Sequence, residues 1–268
     1  MRDYNRVAFQ LLSAIQPILM TVLVILSLGA GDAMAMNPNR PPGDSQSALA
    51  RQRLVAEVER EVRATSAYLG FDQLDPRVLS AIGSVPRERF VPPAMRSVAY
   101  RNAPLPIGGG QTISQPYIVA VMSHLLNLPS DGGRVYELGT GSGYQAAVLG
   151  EMGAEVYSVE IVPELAERSA ELLKSLGYDN VHIRAGDGYR GWPEAAPFDA
   201  VIVTAAGPEI PAPLAEQLKV GGRLVMPLGP TGQSQELVVL TKQQDGTLKR
   251  RKVLPVRFVP ITGDSVDD

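Results

Sequence analysis

The feature that most constrains this chain is an alternation of short apolar segments with helical segments after residue 133. Apolar segments with the length of a strand lie at residues 134–138, 155–159, 181–185, 199–204 and 222–227, and helical patterns lie between them, ending near residue 152 and covering 163–176 and 211–218. Strands that alternate with helices form a mostly parallel sheet with helices on both faces. Residues 237–241 and 252–258 indicate a closing antiparallel strand pair. We therefore predict an α/β fold of the Rossmann-like, doubly wound class that ends in this antiparallel C-terminal pair.

Upstream of this alternation, the sequence indicates two helices, a long loop and a third helix. Apolar side chains at helical spacing predict an amphipathic helix over residues 48–69, and Asp75 followed by Pro76 marks the start of a short helix. Residues 102–116 contain several prolines and three consecutive glycines, which predicts a long loop, and residues 117–128 return to helical spacing. A long loop of this composition inside a domain is usually functional.

An uncharged segment lies near the N-terminus. Residues 7–31 carry no charge, and the sequence Ala-Met-Ala follows at residues 33–35. Arg2 and Arg6 precede the segment. A positive start, an apolar centre and a small-residue end are typical of a secretory signal peptide, and the run also has the length of a membrane anchor. We predict that residues 1–35 are one of these two, with the protein in the periplasm or attached to the inner membrane through residues 7–31. A misplaced start codon is the alternative.

The rest of the chain divides into a linker and one domain. Residues 36–47 are rich in Pro, Asn, Gly and Ser, which predicts a flexible linker with too little apolar content to pack. The chain has 268 residues, so residues 48–268 are left for a single domain within the usual size range.

The composition removes several classes of chemistry. The chain has no cysteine, which excludes a disulfide framework, a thiolate nucleophile and a cysteine-ligated metal. His124 and His182 are the only histidines, so we expect no metal site. A formal net charge of -3 gives no basic excess for a nucleic-acid partner. The chemistry is therefore expected from carboxylates, hydroxyls, backbone amides and a bound cofactor.

The first strand of the alternation continues into a glycine-rich turn. Residues 135–144 have the sequence Val-Tyr-Glu-Leu-Gly-Thr-Gly-Ser-Gly-Tyr, and a helix follows. Glycines let a ligand approach the backbone closely, and free N–H groups at a helix start can bind a carboxylate or phosphate. Glu160 ends the second strand, about where nucleotide-binding units place a ribose-binding acid. Strand, turn, helix and acid together predict a nucleotide-type cofactor site.

The glycine spacing does not fit a dinucleotide. A dinucleotide site has the pattern G-x-G-x-x-G/A, whereas after Gly139 and Gly141 the third position falls on Tyr144. Glu137, just before the glycines, would repel a pyrophosphate and suits a ligand with a cationic centre. S-adenosyl-L-methionine carries an ammonium, a sulfonium, a carboxylate and a ribose, which match these groups. Asp187, in a Gly-Asp-Gly sequence after the third strand, is either a further ligand-binding residue or an ordinary turn residue.

A set of longer segments lies on both sides of the glycine turn. They are Val-Pro-Arg-Glu-Arg-Phe-Val-Pro at 85–92, Pro-Leu-Pro-Ile-Gly at 104–108, Gly-Gln-Thr-Ile-Ser-Gln-Pro-Tyr at 110–117, Gly-Asp-Gly at 186–188, Phe-Asp-Ala-Val-Ile-Val-Thr-Ala-Ala at 198–206 and Val-Arg-Phe-Val-Pro at 256–260. With the glycine turn, these segments resemble the motifs of the protein-L-isoaspartate O-methyltransferase family over about residues 50–262. One departure is Gly207, where bacterial members usually have proline, and we expect it to loosen its loop slightly.

The resemblance implies a class I methyltransferase fold, with S-adenosyl-L-methionine as methyl donor, S-adenosyl-L-homocysteine as product and no metal. The acceptor would be the free α-carboxylate of an L-isoaspartyl residue in a damaged protein or peptide. The methyl ester would then close to a succinimide, whose hydrolysis restores some normal aspartate. We expect a monomer. Because the methyl donor is made in the cytoplasm and the family is mostly cytoplasmic, a cytoplasmic location is the alternative to export.

The predicted acceptor site centres on Ser114. Its hydroxyl would orient one carboxylate oxygen while the other attacks, and Thr112 and Gln115 are secondary candidates. The alternative is that the hydroxyls of Thr112 and Ser114 only hydrogen-bond the loop backbone.

The remaining predicted residues bind the cofactor. At the nucleoside end, Glu160 would bind the ribose hydroxyls, Ile161 would lie beside the adenine and Asp187 would accept from the adenine amino group. At the methionine end, Glu137 would lie near the ammonium, and the glycine turn would admit the chain through Gly139, Gly141 and Gly143. The other predicted cofactor-binding residues are Ile113, Thr140, Ser142 and Gly188.

Three other functions stay open at this point. A methyltransferase for a small molecule or RNA keeps the glycine site but leaves segment 110–117 unexplained. A nicotinamide-dependent oxidoreductase is opposed by the glycine spacing and by Glu137. A non-catalytic binding module predicts cofactor binding without turnover.

Overall fold

A computed structural model of the chain describes residues 45–230 and 232–263. The predicted leader, residues 1–35, and residues 36–44 of the predicted linker lie outside these ranges. The helices in the described residues are α1 (Ser45–Ala64), α2 (Ser66–Leu69), α3 (Pro76–Ser84), α4 (Pro116–Leu125), α5 (Tyr144–Glu151), α6 (Pro163–Ser175) and α7 (Ala212–Glu216). The strands there are β1 (Leu105–Gly108), β2 (Gln111–Ile113), β3 (Arg134–Leu138), β4 (Glu155–Glu160), β5 (Val181–Ala185), β6 (Phe198–Val203), β7 (Leu218–Leu228), β8 (Gln235–Lys242) and β9 (Leu248–Val256). Among these helices, none combines the length and the apolar character needed to cross a membrane.

The main sheet has seven strands in the order β5-β4-β3-β6-β7-β8-β9. Strands β5, β4, β3, β6 and β7 run parallel, while β8 pairs antiparallel with both β7 and β9. The predicted fold class, with its antiparallel C-terminal pair, is confirmed. The chain goes from β3 to β4 on one side and later places β6 on the other, so the strand order reverses beside β3. Ligands of open α/β sheets bind at the carboxyl ends of the strands at such a point.

The sheet separates two apolar cores, and residues 200–203 of β6 show why this part of the strand is wholly apolar. Ala200 and Ile202 pack into the core shared with α1, α3, α4 and α5, whereas Val201 and Val203 pack into the core on the other face. Successive residues of a strand point to opposite faces, so a strand covered on both sides needs apolar residues at every position. All four side chains are fully buried.

The N-terminal helices differ in detail from the prediction. Helix α1 begins at Ser45, inside the predicted linker, and ends at Ala64. The predicted single helix over residues 48–69 is interrupted at Thr65, whose hydroxyl donates to the carbonyl of Glu61 at 2.8 Å. The predicted start of the next helix is confirmed, because the Asp75 side chain accepts from the N–H of Arg77 and Pro76 occupies the first turn of α3.

The prediction of an irregular loop over residues 102–116 is wrong in part. This segment contains a β-hairpin, in which β1 pairs antiparallel with β2. The three glycines at 108–110 all have positive φ and form its turn. Proline and glycine content indicated irregular backbone, whereas here the glycines permit the reversal and short paired strands flank them.

Gly207 makes a backbone hydrogen bond through both its N–H and its carbonyl. Its N–H donates to the carbonyl of Pro227 at 3.3 Å, and its carbonyl accepts from the N–H of Gly229 at 2.9 Å. Both backbone groups are therefore paired with the end of β7, and the first of these bonds is one that a proline could not make.

Candidate active site

A cleft lies at the carboxyl ends of β3 and β4, and most of the predicted site residues line it. Those that line the cleft are Thr112, Ile113, Ser114, Gly139, Thr140, Gly141, Ser142, Glu160, Ile161 and Gly188. The predicted residues outside the lining are Gln115, Glu137, Gly143 and Asp187. The structure thus brings together two distant parts of the sequence, the hairpin segment and the glycine turn, as predicted from the motifs.

The glycine turn after β3 requires glycine for two reasons. Gly139, Gly141 and Gly143 have φ values of +94°, +54° and +85°, where other residues are strained. A Cβ atom on Gly139 would also lie 2.5 Å from Oγ1 of Thr204 on the neighbouring segment. The turn therefore runs close to its neighbour and leaves its outer side open to the cleft.

Glu160 joins the end of β4 to the glycine turn. One carboxylate oxygen accepts from the N–H of Gly141 at 2.7 Å, and the other accepts from the N–H of Val162 at 3.0 Å. The side chain is only 4% exposed, yet it lines the cleft wall. A carboxylate oxygen can accept more than one hydrogen bond, so Glu160 retains acceptor capacity for ligand hydroxyls.

Glu137 lies buried beneath the turn. Its Oε2 accepts from the hydroxyl of Ser158 at 2.5 Å, and that hydroxyl is in turn 2.5 Å from the hydroxyl of cleft-lining Thr140. Burial raises the pKa of Glu137 to about 8, the Ser158 hydrogen bond lowers it, and the charge of Glu160 raises it further. Its Oε1 has no hydrogen-bond partner among the described residues. A buried acceptor without a donor suits a ligand that carries a cation.

The β1–β2 hairpin covers the glycine turn. The side chain of Ile107 is 3.5 Å from the position a Cβ atom would take on Gly141. A guanidinium nitrogen of Arg168, on α6, donates to the carbonyl of Ile107 at 3.0 Å and so holds the hairpin down. The hairpin therefore lies against the glycine turn, and its second strand, residues 111–113, forms part of the cleft wall.

Ser114 lies where this cleft meets a second cavity. The second cavity, here called the acceptor groove, is lined by Glu61, Thr65, Pro104, Thr112, Ser114, Gln115, Tyr117, Ile118, Thr204 and residues 254–259. It shares Thr112, Ser114, Thr204 and Val259 with the cleft. In the described part of the chain, neither the Ser114 nor the Thr112 hydroxyl makes a hydrogen bond to another residue, so the alternative in which they bond the loop backbone is not observed.

Gln115 and its surroundings form the wall of the acceptor groove. The Gln115 amide donates to Oε1 of Glu61 at 3.3 Å, and the Asn102 amide donates to Oε2 of the same carboxylate at 2.5 Å. Asn102 also accepts from the N–H of Tyr117 at 2.9 Å, which fixes the start of α4. Burial raises the pKa of Glu61, whereas the two amides lower it.

Asp187 has a local role in the structure. Its Oδ1 accepts from the N–H of Tyr189 at 3.0 Å and caps the 3₁₀ turn Gly188–Arg190. A Cβ atom on Gly263 would lie 3.1 Å from the same oxygen, so the C-terminal segment packs against this carboxylate. Asp187 thus stabilises the Gly-Asp-Gly turn, and its predicted contact with the adenine amino group stays a prediction, while the next residue, Gly188, lines the cleft.

The structure adds lining residues that the sequence interpretation did not assign. Thr204 and Ala205, after β6, and residues 259–262 also line the cleft. They lie together because the N–H of Ala206 donates to the carbonyl of Val259 and the N–H of Ile261 donates to the carbonyl of Ala206, both at 2.8 Å. Both segments overlap motifs that resemble the family's, at 198–206 and 256–260, and this resemblance is the sequence signal that could have assigned them to the site.

The side chains of the described residues differ in arrangement from the side-chain groups that bind metal ions. Within residues 45–230 and 232–263, no group of three or more His, Asp or Glu side chains is arranged to hold a metal ion. The donors around the cleft are instead hydroxyls, backbone N–H groups and single carboxylates.

The fold and the cleft define a class I methyltransferase that depends on S-adenosyl-L-methionine. The glycine turn lacks the dinucleotide spacing, an acid ends β4, and the buried Oε1 of Glu137 fits a cationic ligand. The model of the protein-L-isoaspartate(D-aspartate) O-methyltransferase family matches residues 69–266. The chain belongs to this family.

Individual relatives agree with this assignment. The chain is 52% identical over 242 residues to protein-L-isoaspartate O-methyltransferase 2 of Syntrophobacter fumaroxidans, covering 90% of this chain and 95% of the relative. It is 56% identical over 197 residues to protein-L-isoaspartate O-methyltransferase of Gloeobacter violaceus, covering 71% and 95%.

Solved structures show the same fold. A protein-L-isoaspartate O-methyltransferase matches with a TM-score of 0.69 and 29% identity, over 80% of this chain and 66% of that chain. A Plasmodium falciparum structure that is also described as a protein-L-isoaspartate O-methyltransferase, in complex with S-adenosyl-L-homocysteine, matches with a TM-score of 0.66 and 25% identity. The match covers 79% of this chain and 98% of that chain.

Proposed function

We propose that this protein methylates the free α-carboxylate of L-isoaspartyl residues in damaged proteins and peptides, using S-adenosyl-L-methionine, and so initiates repair through a succinimide. The observation that carries this proposal is the junction at Ser114, where the cofactor cleft opens into the acceptor groove. A methyl transfer needs donor and acceptor side by side, and the shared residues provide such a meeting point. Membership of the isoaspartate methyltransferase family supplies the substrate class.

The cofactor side of the junction binds and orients. The open face of the glycine turn accommodates the methionine end, Glu137 lies beneath it for the ammonium, and Glu160 accepts from the ribose hydroxyls. S-adenosyl-L-methionine, when bound, supplies an electrophilic methyl group on a sulfonium. The hairpin that packs against the turn forms one wall of the cleft.

The acceptor side positions a nucleophile that comes with the substrate. A carboxyl group with a pKa near 4 is ionised at pH 7, so no general base is needed. The hydroxyl of Ser114, which has no protein partner in the described structure, donates to one carboxylate oxygen and leaves the other to attack. Thr112 and Gln115 flank it in the groove. Alignment of this kind can contribute about 7–11 kcal/mol to lowering a barrier.

A methyl-transfer assay with matched peptides tests this function. One peptide carries an isoaspartyl residue, and its control carries a normal aspartyl residue in the same sequence. We expect radiolabel from S-adenosyl-L-methionine to enter the isoaspartyl peptide only. Equal labelling of both peptides, or of neither, would exclude the proposal, and labelling of RNA or of a small metabolite instead would identify another methyltransferase.

We also propose that residues 1–35 are a signal peptide or membrane anchor, with the enzyme acting as a monomer in the periplasm or at the inner membrane. The support is the uncharged run at 7–31 with arginines before it and Ala-Met-Ala after it. Cell fractionation with N-terminal sequencing tests this. A mature N-terminus after Ala35, or full-length protein in the membrane fraction, supports it. Full-length protein in the cytoplasm contradicts it, and size-exclusion chromatography tests the monomer.

A further inference from the structure

A fully buried arginine lies behind the junction of cleft and groove. Arg87 is 0% exposed, and its Nε donates to the carbonyl of Ala99 at 2.9 Å. Its Nη2 donates to the carbonyls of Ser114 at 2.8 Å and Ala103 at 3.3 Å. Its Nη1 has no hydrogen-bond partner among the described residues. Arg87 therefore ties the segment that carries Ser114 to the segment around residues 99–103.

No described carboxylate neutralises this guanidinium. The partners of Arg87 are neutral carbonyls, and no acidic side chain of residues 45–230 and 232–263 forms a salt bridge with it. The carboxylate of the next residue, Glu88, accepts from the hydroxyl of Tyr100 instead. A guanidinium stays protonated in a protein, and a buried charge without a counterion is costly. The domain thus maintains an uncompensated positive charge in its interior.

The charge is only one side chain away from the cleft. The guanidinium carbon lies 4.6 Å from the ring centre of Tyr144, which lines the cleft, and Arg87 also contacts cleft-lining Ser114. Burial raises the pKa of the Tyr144 phenol above its usual value, so the hydroxyl stays neutral and offers no negative charge. In a low-dielectric interior such a charge acts strongly over this range.

We propose that Arg87 is a positioning residue that makes the acceptor site prefer an anion. Building on the proposed function, its charge attracts the isoaspartyl α-carboxylate, and its hydrogen bond to the Ser114 carbonyl holds the orienting hydroxyl in place. Methylation turns the carboxylate into a neutral ester and removes this attraction. The same charge therefore favours binding of the substrate and release of the product.

A pair of peptides that differ only in charge tests the proposal. One carries the isoaspartyl α-carboxylate and the other the corresponding α-carboxamide, and calorimetry measures the affinity of each for the full chain loaded with S-adenosyl-L-homocysteine. We expect the wild type to bind the acid about tenfold more tightly than the amide. In R87M this ratio should fall to about one, with the affinity for S-adenosyl-L-homocysteine unchanged. The control is R89M, which removes the same charge from an exposed position in the same turn and should keep the ratio.

The outcomes separate a charge effect from a structural one. If R87M weakens acid and amide equally, Arg87 is only a structural residue and the proposal is wrong. R87K replaces the forked hydrogen bonds with a single ammonium, which burial deprotonates more easily than a guanidinium, so it is measured at about pH 5, where its ratio should stay near the wild-type value while kcat falls. If R87M does not fold, R87K decides: a retained ratio supports the proposal and a lost ratio contradicts it. The proposed function is judged separately, since methylation of the isoaspartyl peptide by the wild type establishes it whatever the ratio.

Discussion

The cofactor half and the acceptor half of the site are built in different ways. The central part of the cofactor half is one continuous unit, β3 to β4, in which Glu160 reaches back to Gly141, and segments distant in the sequence only complete its walls. The acceptor half is assembled from α1, the hairpin segment, the start of α4 and the chain from the end of β9 onward, with contacts such as Gln115 to Glu61. A site made by consecutive elements can be altered by a change in one turn, whereas an assembled site depends on the packing of the whole domain.

The first prediction changes the glycine turn of the cofactor half. In Gly139→Ala the new Cβ lies 2.5 Å from Oγ1 of Thr204 at a positive φ, so the turn must shift. We expect the free energy of unfolding to fall by about 2–4 kcal/mol and the affinity for S-adenosyl-L-homocysteine to drop, as measured by urea unfolding and calorimetry.

Gly246→Ala is the matched control for this variant. Gly246 also has a positive φ but has nothing within 4 Å of its would-be Cβ. It should lose only about 1 kcal/mol and bind the cofactor normally. Equal losses in the two variants would show that backbone strain, not the close approach to Thr204, makes glycine necessary at 139.

The second prediction removes the acceptor-orienting group at the junction of the two halves. Ser114→Ala removes the orienting hydroxyl, and we expect kcat to fall by about 10²-fold, as for the loss of one preorganised donor. Calorimetry should show unchanged affinity for S-adenosyl-L-homocysteine. Ser175→Ala, on the exposed end of α6, is the control and should leave both values as they are. A collapse of cofactor affinity in Ser114→Ala would place this residue in the wrong half.

The third prediction sharpens the role of Glu137 in the cofactor half. Its pKa is raised from 4.5 to about 8, so the carboxyl is largely protonated at pH 7 in the free protein. A cationic ligand favours the ionised form, so binding expels a proton below pH 8. We expect affinity for S-adenosyl-L-homocysteine to rise with pH, by up to about tenfold per unit, and to level off above pH 8.

Glu137→Gln isolates this effect from the titration of the ligand itself. The variant should bind more weakly, and the part of the pH dependence that comes from the carboxyl should disappear. The measured quantity is the difference between the two calorimetric pH profiles from pH 6 to 9. If affinity depends on pH in the same way in the wild type and in Glu137→Gln, the charge of Glu137 does not interact with the ligand cation.

The smallest expected effect is at Glu61, which tests whether α1 belongs to the acceptor half. In Glu61→Gln, one of the two amide donors from Asn102 and Gln115 loses its acceptor. We expect KM for an isoaspartyl peptide to rise by a few-fold, corresponding to about 0.5–1.5 kcal/mol, with cofactor affinity unchanged. Glu59→Gln, on the same helix, is the control. An unchanged KM would show that α1 does not contribute to peptide binding in the acceptor groove.

The same difference explains how much the sequence could predict. The order of strands and helices, the glycine turn and the acid at Glu160 follow from local patterns, and the structure places them as expected. The wall formed by Glu61 and by residues 254–262 could not be assigned, because it depends on contacts between distant segments such as Ala206 and Val259. The charge of Glu137 predicted that it lies near a ligand cation, but its complete burial results from the packing of the core and could not be predicted from the sequence.

One competition experiment tests the central claim, that the two halves meet at Ser114 to methylate an isoaspartyl carboxylate. Equal amounts of an isoaspartyl peptide and its aspartyl counterpart are incubated in one tube with the enzyme and S-adenosyl-L-methionine, and tandem mass spectrometry locates the added methyl group. We predict a methyl ester on the isoaspartyl α-carboxyl alone, followed by conversion to the succinimide. A methyl group on the aspartyl peptide or on any other side chain, or no methyl group on either peptide, would contradict this claim.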